Sequence, residues 1–337
     1  MNENTDPEIQ KEDEKTEQLI RPQKFNEFPG QEQIKENLKI AIKATLARNE
    51  AIDHILLVGP PGLGKTTLAS IVANEMGVKF HSTSGPVMEK AGDLAGILTN
   101  LSFRDILFID EIHRVNRIVE EYLYPAMEDF SLDIVIDSGP AARTIKLRLK
   151  PFTLIGATTR TGLLTSPLRA RFGMTYRLDY YNSDQLATII KRTSKILNIG
   201  IEHNAAVLIG KRSRGTPRVA NRLLRRVRDW TQVSGEEIIS EQRTLETLDR
   251  HGIDTLGLEK LDRQVLQLIA EKFQGGPVGL NTLAIAIGES PDTLEEVYEP
   301  FLIMQGLLKR TPRGRIITEN GYKHLGMNCK DSKGLFN

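Results

Sequence analysis

The sequence predicts an α/β fold: a parallel sheet with helices on both faces, followed by a small helical domain and a winged-helix domain. Over about residues 21–182, short and nearly all-apolar strands alternate with helical stretches, which is typical of a parallel sheet buried on both faces. A glycine-rich loop ending in a lysine follows the first of these strands. From residue 183 to about 326, helical periodicity dominates, and a basic hairpin lies near the end.

Length and charge bound the domain organisation. The 337 residues exceed what one hydrophobic core usually serves, so several domains are expected. No apolar run is long enough to span a bilayer, and no membrane partner is predicted. Residues 1–20 form an acidic tail, with seven acids and two lysines in the first eighteen residues, and are expected to be disordered. Residues 327–337 are expected to be flexible. They contain Cys329, the single cysteine, which is consistent with a reducing, cytoplasmic compartment.

Three candidate strands belong to the large domain at 21–182: HILLVG at 54–59, DILFID at 105–110 and FTLIGATT at 152–159. Each is short and almost wholly apolar, so each is expected to be buried on both faces of the sheet. Between the last two, residues 132–149 form two alternating runs around a Ser-Gly-Pro turn, which predicts a β-hairpin. The spacing leaves open whether its aliphatic residues meet a partner or pack on their own domain.

Residues 183–255 are predicted to form a helical lid domain, and residues 256–326 a winged-helix domain. Ser183 is expected to cap the first lid helix, and a second long helix follows it. In the last domain two amphipathic helices precede a third, which begins with Ser290 as N-cap and a proline at its first position. Two short strands joined by a basic turn follow. Three helices and a hairpin indicate a winged helix-turn-helix, an architecture that most often binds DNA.

The loop from Gly59 to Thr66 matches the phosphate-binding pattern G-x-x-x-x-G-K-[ST]. Its glycines, among them Gly62 and Gly64, let backbone N–H groups turn toward phosphates, and the following helix adds its positive dipole end. Lys65 supplies a positive charge to the β- and γ-phosphates, and the hydroxyl of Thr66 is placed for Mg²⁺. A strand before the loop and a helix after it argue against a chance glycine-rich turn. The loop predicts an ATP site.

Polar residues end the next two strands. Asp110 would hold Mg²⁺, usually through water, and Glu111 would polarise the attacking water. Thr158 and Thr159 end the third strand, where a polar side chain, Thr159 in particular, could sense the γ-phosphate. Together with the phosphate loop, this pattern indicates a nucleotide hydrolase, but it does not name the work done.

Three arginines extend the pattern. Arg169 and Arg171 follow the last strand, where a guanidinium that reaches the γ-phosphate is worth roughly 10³–10⁵ in rate. The spacing does not choose between them. Arg218 begins a helix of the lid domain and could reach back over the nucleotide. The chain resembles the AAA+ ATPases in the order of its motifs: the phosphate loop, the Asp-Glu strand, the strand-end threonine, the arginine finger and the lid arginine.

The resemblance narrows to the bacterial Holliday junction branch-migration motors within that class and covers about residues 20–326. It implies a homo-hexameric ring that uses ATP and Mg²⁺ to draw duplex DNA through a four-way junction in recombination and DNA repair. It also implies that the hairpin at 132–149 docks RuvA, the junction-binding partner, and that the RuvC resolvase joins the wider complex. The segments that carry it are RPQKFNEFPGQEQIKENL, DHILLVGPPGLGKTTLA, LFIDEIHR, MEDF, PFTLIGATTR, SPLRARFG and KRSRGTPRVANRLLRRVRD.

Residue roles carried over from the resemblance add to those argued from the residues alone. Arg171 is favoured over Arg169 as the finger and would serve the nucleotide of the neighbouring subunit, while Arg218 would be the lid sensor. The resemblance assigns three further groups: Ile20, Arg21 and Tyr181 on the adenine side; Gly62, Lys65, Thr66 and Thr67 at the phosphates and metal; and Glu128, Asp129 and Phe130 across a subunit boundary.

The charges of the winged-helix domain predict backbone contact rather than base readout. The helix that would enter the major groove carries four carboxylates, which would repel phosphate. The wing turn carries Lys309, Arg310, Arg313 and Arg315, which can contact phosphates without reading bases, so the affinity should fall with salt. The resemblance singles out Arg310 and Arg315.

Three classes of function share these features. The leading hypothesis is an ATP-driven DNA motor. A DNA-bound regulator that uses nucleotide only as a switch would need neither Glu111 nor Arg171. A clamp-loader-like ATPase shares the core motifs but would be expected to end in an oligomerising helical collar, whereas this chain ends in a basic wing.

Overall fold

The computed structural model describes residues 19–136 and 143–328. Three segments about which the sequence makes predictions lie outside the described residues. They are residues 1–18 of the acidic tail predicted at 1–20, the hairpin turn at 137–142, and residues 329–337 of the flexible tail predicted at 327–337. The expectations for these segments stay predictions.

The described residues divide into two compact units, with the boundary between Tyr181 and Asn182. The first unit alternates strands and helices. In chain order these are α1 (Glu32–Arg48), β1 (Ile55–Val58), α2 (Lys65–Met76), β2 (Phe80–Ser84), α3 (Ala91–Thr99), β3 (Ile106–Asp110), α4 (Arg117–Glu128), β4 (Ser131–Ile136), β5 (Arg143–Arg148), β6 (Thr153–Thr158), α5 (Ser166–Ala170) and β7 (Met174–Arg177).

Five strands of the first unit form one parallel sheet in the order β2-β3-β6-β1-β7. The three strands predicted from apolar runs, β1, β3 and β6, occupy the central positions. Every residue of β1 and β6 is buried, as expected for strands covered on both faces. The edge strand β2 has the more polar sequence FHSTS and is partly exposed. The predicted α/β class with a parallel sheet is confirmed.

The strand direction defines two edges of this sheet. At the carboxyl edge, β1, β3 and β6 end and are followed by Gly59, Glu111 and Thr159. At the amino edge the strands begin, with His54 just before β1 and Gly173 just before β7. Because β1 has four residues at about 3.3 Å each, roughly 13 Å separates the two edges. Groups at one edge are therefore remote from the other edge of the same chain.

The predicted β-hairpin is present between α4 and β6. β4 and β5 pair antiparallel, with Ser131 opposite Arg148 at the base. Leu132 and Leu149, also at the base, are buried in the core of the sheet domain. Ile145, farther along β5, is 45% exposed. The base of the hairpin therefore packs on its own domain, and an aliphatic side chain beyond it faces solvent.

The second unit begins with the lid: α6 (Ser183–Ile196), β8 (Gly200–Ile201), α7 (His203–Lys211), α8 (Pro217–Val233), β9 (Ile238–Ile239) and α9 (Glu241–Arg250). The predicted cap is displaced by one residue. The side chain of Asn182 accepts from the Gln185 N–H at 2.9 Å, and the Gln185 side chain accepts from the Asn182 N–H at 3.0 Å, so Asn182 and not Ser183 is the N-cap. The two-residue parallel strands β8 and β9 were not predicted.

The winged-helix part of the second unit contains the three predicted helices and the hairpin. A further short helix at Glu319–His324 follows the hairpin and was not predicted. The Ser290 side chain accepts from the Thr293 N–H at 3.1 Å and caps the third helix. This helix consists of two α-helical segments joined by a π-helical turn at Leu294–Tyr298. The elements are α10 (Lys260–Glu271), α11 (Leu280–Ile287), α12 (Pro291–Thr293), α13 (Glu299–Met304), β10 (Leu308–Thr311), β11 (Gly314–Ile317) and α14 (Glu319–His324).

Across residues 19–136 and 143–328, none of the helices has the length and apolar character required to cross a bilayer.

Candidate functional site

The phosphate loop lies at the carboxyl edge between β1 and α2. Gly62 and Gly64 have φ angles of +77° and +93°, a region that residues with a side chain rarely adopt. A Cβ on Gly64 would also lie 3.1 Å from the buried ring of Phe28. Glycine is thus required at Gly64 both for its backbone conformation and for its neighbour. The loop fits the predicted cradle, in which backbone N–H groups surround phosphates.

Lys65 opens α2 with its side chain buried against the loop. Its Nζ donates to the Gly59 carbonyl at 2.7 Å and to the Pro60 carbonyl at 2.9 Å. The ammonium charge is therefore held over the loop, where a phosphate would meet it. Thr66 and Thr67 lie half-buried in the first turn of the same helix, where the backbone N–H groups have no helical acceptor.

Two carboxylates follow β3 at the same edge. Asp110 is the last residue of the strand, and its Oδ1 accepts the Glu111 N–H at 3.0 Å. Glu111 has a φ of +47°, the left-handed conformation. Its carbonyl lies so close to Gly85 that a Cβ there would be 2.5 Å away. The backbone therefore turns tightly at Glu111, with Gly85 packed against it.

The end of β6 meets Glu111. The Thr159 hydroxyl donates to Glu111 Oε2 at 3.3 Å. His113 joins the group, because its Nδ1 lies 3.2 Å from Glu111 Oε2 and 3.0 Å from Thr158 Oγ1. Burial lowers the pKa of His113, and the neighbouring Arg160 and Arg114 lower it further. With its proton on Nδ1, a neutral imidazole can therefore donate a hydrogen bond to Glu111 without adding a charge beside that carboxylate.

Of the three residues predicted for the adenine side, Tyr181 contacts the phosphate loop. Tyr181 is buried, and its hydroxyl donates to the Leu63 carbonyl at 3.2 Å. Burial raises the pKa of this phenol, so it stays a neutral donor. Ile20 is buried and Arg21 is half-buried. The segment that follows them runs along α2, where Asn74 donates to the Gln23 carbonyl at 3.0 Å.

Arg171 lies at the amino edge, away from the phosphate loop of its own chain. One guanidinium nitrogen is 3.0 Å from a Glu128 carboxylate oxygen, and the guanidinium carbon is 4.2 Å from the Tyr124 ring centroid. Arg171 directly follows α5 and stands two residues before Gly173. A Cβ on Gly173 would contact Asp53, next to His54 at the amino edge.

The other predicted boundary residues belong to the same edge. The carbonyl of Met127, next to Glu128, lies 3.0 Å from His54 Nε2, and the Phe130 ring lies 6.3 Å from the His54 ring. Asp129 directly follows α4 and is exposed. Arg169 is exposed on α5. The structure thus groups Glu128, Phe130 and Arg171 at one edge and the predicted hydrolytic residues at the other.

Arg218 lies in the second unit, in the first turn of α8 directly after Pro217, and is half-buried. Its proposed approach to the nucleotide stays a prediction.

The wing arginines differ in environment. Arg313 is exposed in the turn between β10 and β11, and Lys309 is exposed on β10. Arg310 is 58% exposed and pairs with Glu295 at 2.6 Å. Arg315, by contrast, is only 7% exposed, and two of its guanidinium nitrogens bind the two carboxylate oxygens of buried Glu299, one of them at 3.0 Å. To contact a phosphate, Arg315 would have to give up its ion pair with Glu299.

Family models match the chain in three consecutive stretches: the Holliday junction DNA helicase RuvB P-loop domain at residues 20–178, the RuvB AAA lid domain at 181–254 and the RuvB C-terminal winged-helix domain at 255–326. The chain belongs to the RuvB family. The resemblance to AAA+ branch-migration motors is thereby confirmed, together with the P-loop, lid and winged-helix architecture.

Relatives in the RuvB family match over nearly the whole chain. A Holliday junction branch migration complex subunit RuvB from Flavobacterium psychrophilum is 58% identical over 340 residues, covering 100% of both chains. The protein of the same name from Parabacteroides distasonis is 57% identical and covers 95% of this chain and 94% of its own. The solved structure of the Thermotoga maritima RuvB Holliday junction branch migration motor has 51% identity and a TM-score of 0.83, covering 92% of this chain and 99% of its own.

Two features of this RuvB-family chain were missed from the sequence. His113 was not singled out, although its place three residues after Asp110 on a sharp turn brings it back beside Glu111. The wing ion pairs were also missed. Glu295 and Glu299 are four residues apart on one helical face, and Arg310 and Arg315 are directly opposed across the wing. The helical spacing of the two glutamates and the cross-strand register of the two arginines together would have predicted the ion pairs.

Loss of the buried wing ion pair should destabilise the winged helix. Arg315→Met leaves Glu299 buried without its partner, which is expected to cost about 3–5 kcal/mol. Combining it with Glu299→Gln should recover much of that loss, because no lone charge stays buried. Urea denaturation followed by circular dichroism measures both. Equal midpoints for wild type and Arg315→Met would contradict the expectation.

Proposed function

We propose that this chain is an ATP-driven motor that moves DNA strands through Holliday junctions. The observation that carries the proposal is the meeting of the phosphate loop, the Asp110–Glu111 turn and Thr159 at one sheet edge, in a RuvB-family chain that also bears a winged helix with a basic wing. A hydrolytic site supplies energy, and the wing supplies a sequence-independent contact with DNA.

The nucleotide would be ATP, held by the loop glycines and Lys65, with Mg²⁺ held by the hydroxyl of Thr66 and, through water, by Asp110. The residues fit this assignment. The left-handed glycines leave the loop N–H groups free of side-chain obstruction, and the ammonium of Lys65 already lies over the loop. The metal would neutralise charge on the phosphate oxygens during phosphoryl transfer.

Hydrolysis would use Glu111 to orient and deprotonate the attacking water. The Thr159 hydroxyl and the His113 imidazole, which lie 3.3 Å and 3.2 Å from Glu111 Oε2, hold that carboxylate in one orientation. Arg218 would contact the nucleotide from the lid as its sensor.

Arg171 would complete the site of a neighbouring subunit. In its own chain it lies at the amino edge with Glu128 and Phe130, across the sheet from the phosphate loop. A head-to-tail ring places the amino edge of one copy against the carboxyl edge of the next and closes after a fixed number of copies. We propose a homo-hexamer, with RuvA docked on the hairpin at 132–149, RuvC in the wider complex and a cytoplasmic location.

The wing would hold duplex DNA through its phosphates. Glu295 and Glu299 bind the wing arginines, and Asp292 and Glu296 are exposed on the same helix, the one that would enter the major groove in base readout. That surface opposes base readout and therefore a promoter-binding regulator. The chain also carries a winged helix where a clamp loader would carry a collar.

The test is ATP-dependent dissociation of a synthetic four-way junction, with and without RuvA. Splitting that requires ATP and is stimulated by RuvA is the expected result. If ATP is hydrolysed but junctions stay intact even with RuvA, the motor proposal is wrong, and a clamp-loader-like role becomes the better explanation.

The exposed wing arginines should set the salt dependence of DNA binding. Arg310→Ala with Arg313→Ala is expected to weaken binding uniformly across sequences and to lower the slope of log affinity against log salt by about one per lost phosphate contact. Fluorescence anisotropy with two unrelated duplexes at several salt concentrations measures this. Lys323→Ala is the control, since Lys323 is an exposed cation on α14, paired with Glu319. An unchanged slope in the double variant would refute the wing contact.

A further inference from the structure

Arg214 is a buried cation in the loop between α7 and α8, only 5% exposed. Its backbone is left-handed, with a φ of +54°, and its carbonyl accepts from the Thr216 hydroxyl at 3.2 Å. Thr216 directly precedes α8, whose first turn carries Arg218. The conformation of Arg214 is therefore tied to the start of the helix that bears the proposed lid sensor.

The side chain of Arg214 leaves the lid and binds the winged-helix part of the same unit. Its Nε donates to the Gly257 carbonyl at 2.9 Å, and a terminal nitrogen forms an ion pair with Asp262, which is 0% exposed. The guanidinium carbon lies 4.8 Å from the centroid of the Phe301 ring. A planar guanidinium with three partners in fixed directions permits little independent movement of the two parts.

The contacts continue from Phe301 to the wing. Phe301 lies on α13, two residues after Glu299, and Glu299 holds Arg315 of β11. Every member of this series is buried, so a displacement at one end meets close-packed neighbours rather than solvent. The series runs from the start of α8, which carries Arg218, through Arg214, to the wing.

We propose that Arg214 is a positioning residue that couples the DNA-holding wing to the start of α8, which carries Arg218. The inference rests on the functions proposed above for the wing and for Arg218. A buried ion pair of this kind adds little net stability, because desolvation offsets the attraction, but it selects one geometry. Arg214 thereby makes the nucleotide site responsive to force on the wing.

Arg212 provides a matched control. It is buried to the same extent, two residues earlier in the same loop. One of its guanidinium nitrogens lies 3.1 Å from an Asp249 carboxylate oxygen and 2.9 Å from the Ile253 carbonyl, and both partners belong to the lid. Loss of Arg212 contacts disturbs the lid alone, whereas loss of Arg214 contacts disturbs the connection to the winged helix.

The experiment compares Arg214→Lys and Arg212→Lys in steady-state ATP hydrolysis, without DNA and at saturating duplex DNA. Lysine keeps the charge but cannot reproduce the three-way contact. Arg214→Lys should keep basal hydrolysis and lose its stimulation by DNA about 5- to 150-fold, the range of ordinary coupling between sites. Its DNA affinity should stay unchanged. Arg212→Lys should keep both basal and stimulated rates.

A second variant guards against a folding defect. Arg214→Met with Asp262→Asn removes both charges, so no lone buried charge destabilises the protein, and it should also lose stimulation while melting near the wild-type temperature. If DNA stimulates hydrolysis by either Arg214 variant as much as it does in the wild type, the inference is wrong. The proposed motor function would not be affected by that result. If the wild-type protein itself shows no stimulation by DNA, the proposed function fails, and this inference fails with it.

Discussion

Arg171→Ala is expected to lower the ATP hydrolysis rate about 10³- to 10⁵-fold, the contribution of an arginine that stabilises the transferring phosphoryl group. Nucleotide affinity should change far less, because the guanidinium is proposed to act on charge that develops in the transition state. Steady-state hydrolysis and nucleotide titration measure the two quantities. The exposed neighbour Arg169→Ala is the control and should keep most of the activity. If Arg169→Ala is the inactive variant instead, the finger assignment is wrong.

Mixing subunits tests whether Arg171 serves a neighbour. Lys65→Ala removes the charge over the phosphate loop and should also be inactive alone. In a randomly mixed ring of Arg171→Ala and Lys65→Ala subunits, about one site in four pairs an intact loop with an intact neighbouring arginine. Hydrolysis should therefore recover on mixing. If Arg171 acted on its own loop, every site would lack one group, and mixing would restore nothing.

The sheet and its hydrolytic edge could be predicted from the sequence because their signals are local. Apolar runs such as 54–59 identify buried strands, and the residues after each strand necessarily emerge at the edge where that strand ends. Once β1, β3 and β6 are parallel neighbours, Lys65, Glu111 and Thr159 must meet. The prediction from sequence succeeds here because the geometry of the parallel strands alone brings these residues to one edge.

The position of Arg171 could not be predicted in the same way. Its distance in sequence from Thr159 is short, yet α5 carries the chain back across the sheet before β7 begins. Only the topology shows that Arg171 lies at the amino edge with Glu128. Arg171 is thus close to Thr159 in sequence but lies at the opposite edge of the sheet. Sequence spacing therefore could not decide whether Arg169 or Arg171 is the finger.

The wing shows a different limit. A cluster of cations near the end of the chain favours phosphate contact, but the count of cations does not reveal which of them are already paired. Strand alternation points Arg310 and Arg315 to the same face, toward Glu295 and Glu299. Arg313, in the turn, is free of that constraint. The charge that the wing presents to DNA depends on this pairing. The net charge of the segment does not show which arginines are paired.

Glu111→Gln is expected to reduce the hydrolysis rate about 10²- to 10⁴-fold, the usual contribution of a general base. The amide keeps the shape of the side chain and an oxygen that can accept from Thr159, but it cannot take a proton from water. ATP affinity should stay within a few-fold of wild type, since the loop and Lys65 are untouched. Single-turnover hydrolysis and equilibrium binding separate these effects.

The matched control is Glu128→Gln, the same substitution at the amino edge, where the carboxylate pairs with Arg171 and is not the proposed base. It should retain far more activity than Glu111→Gln. A Glu111→Gln protein that still hydrolyses ATP within tenfold of wild type would place the base elsewhere. The Glu111→Gln protein is expected to bind ATP and four-way junctions without hydrolysing ATP. Junctions held but not split under those conditions would show that the motor needs hydrolysis, and not binding alone, to move DNA.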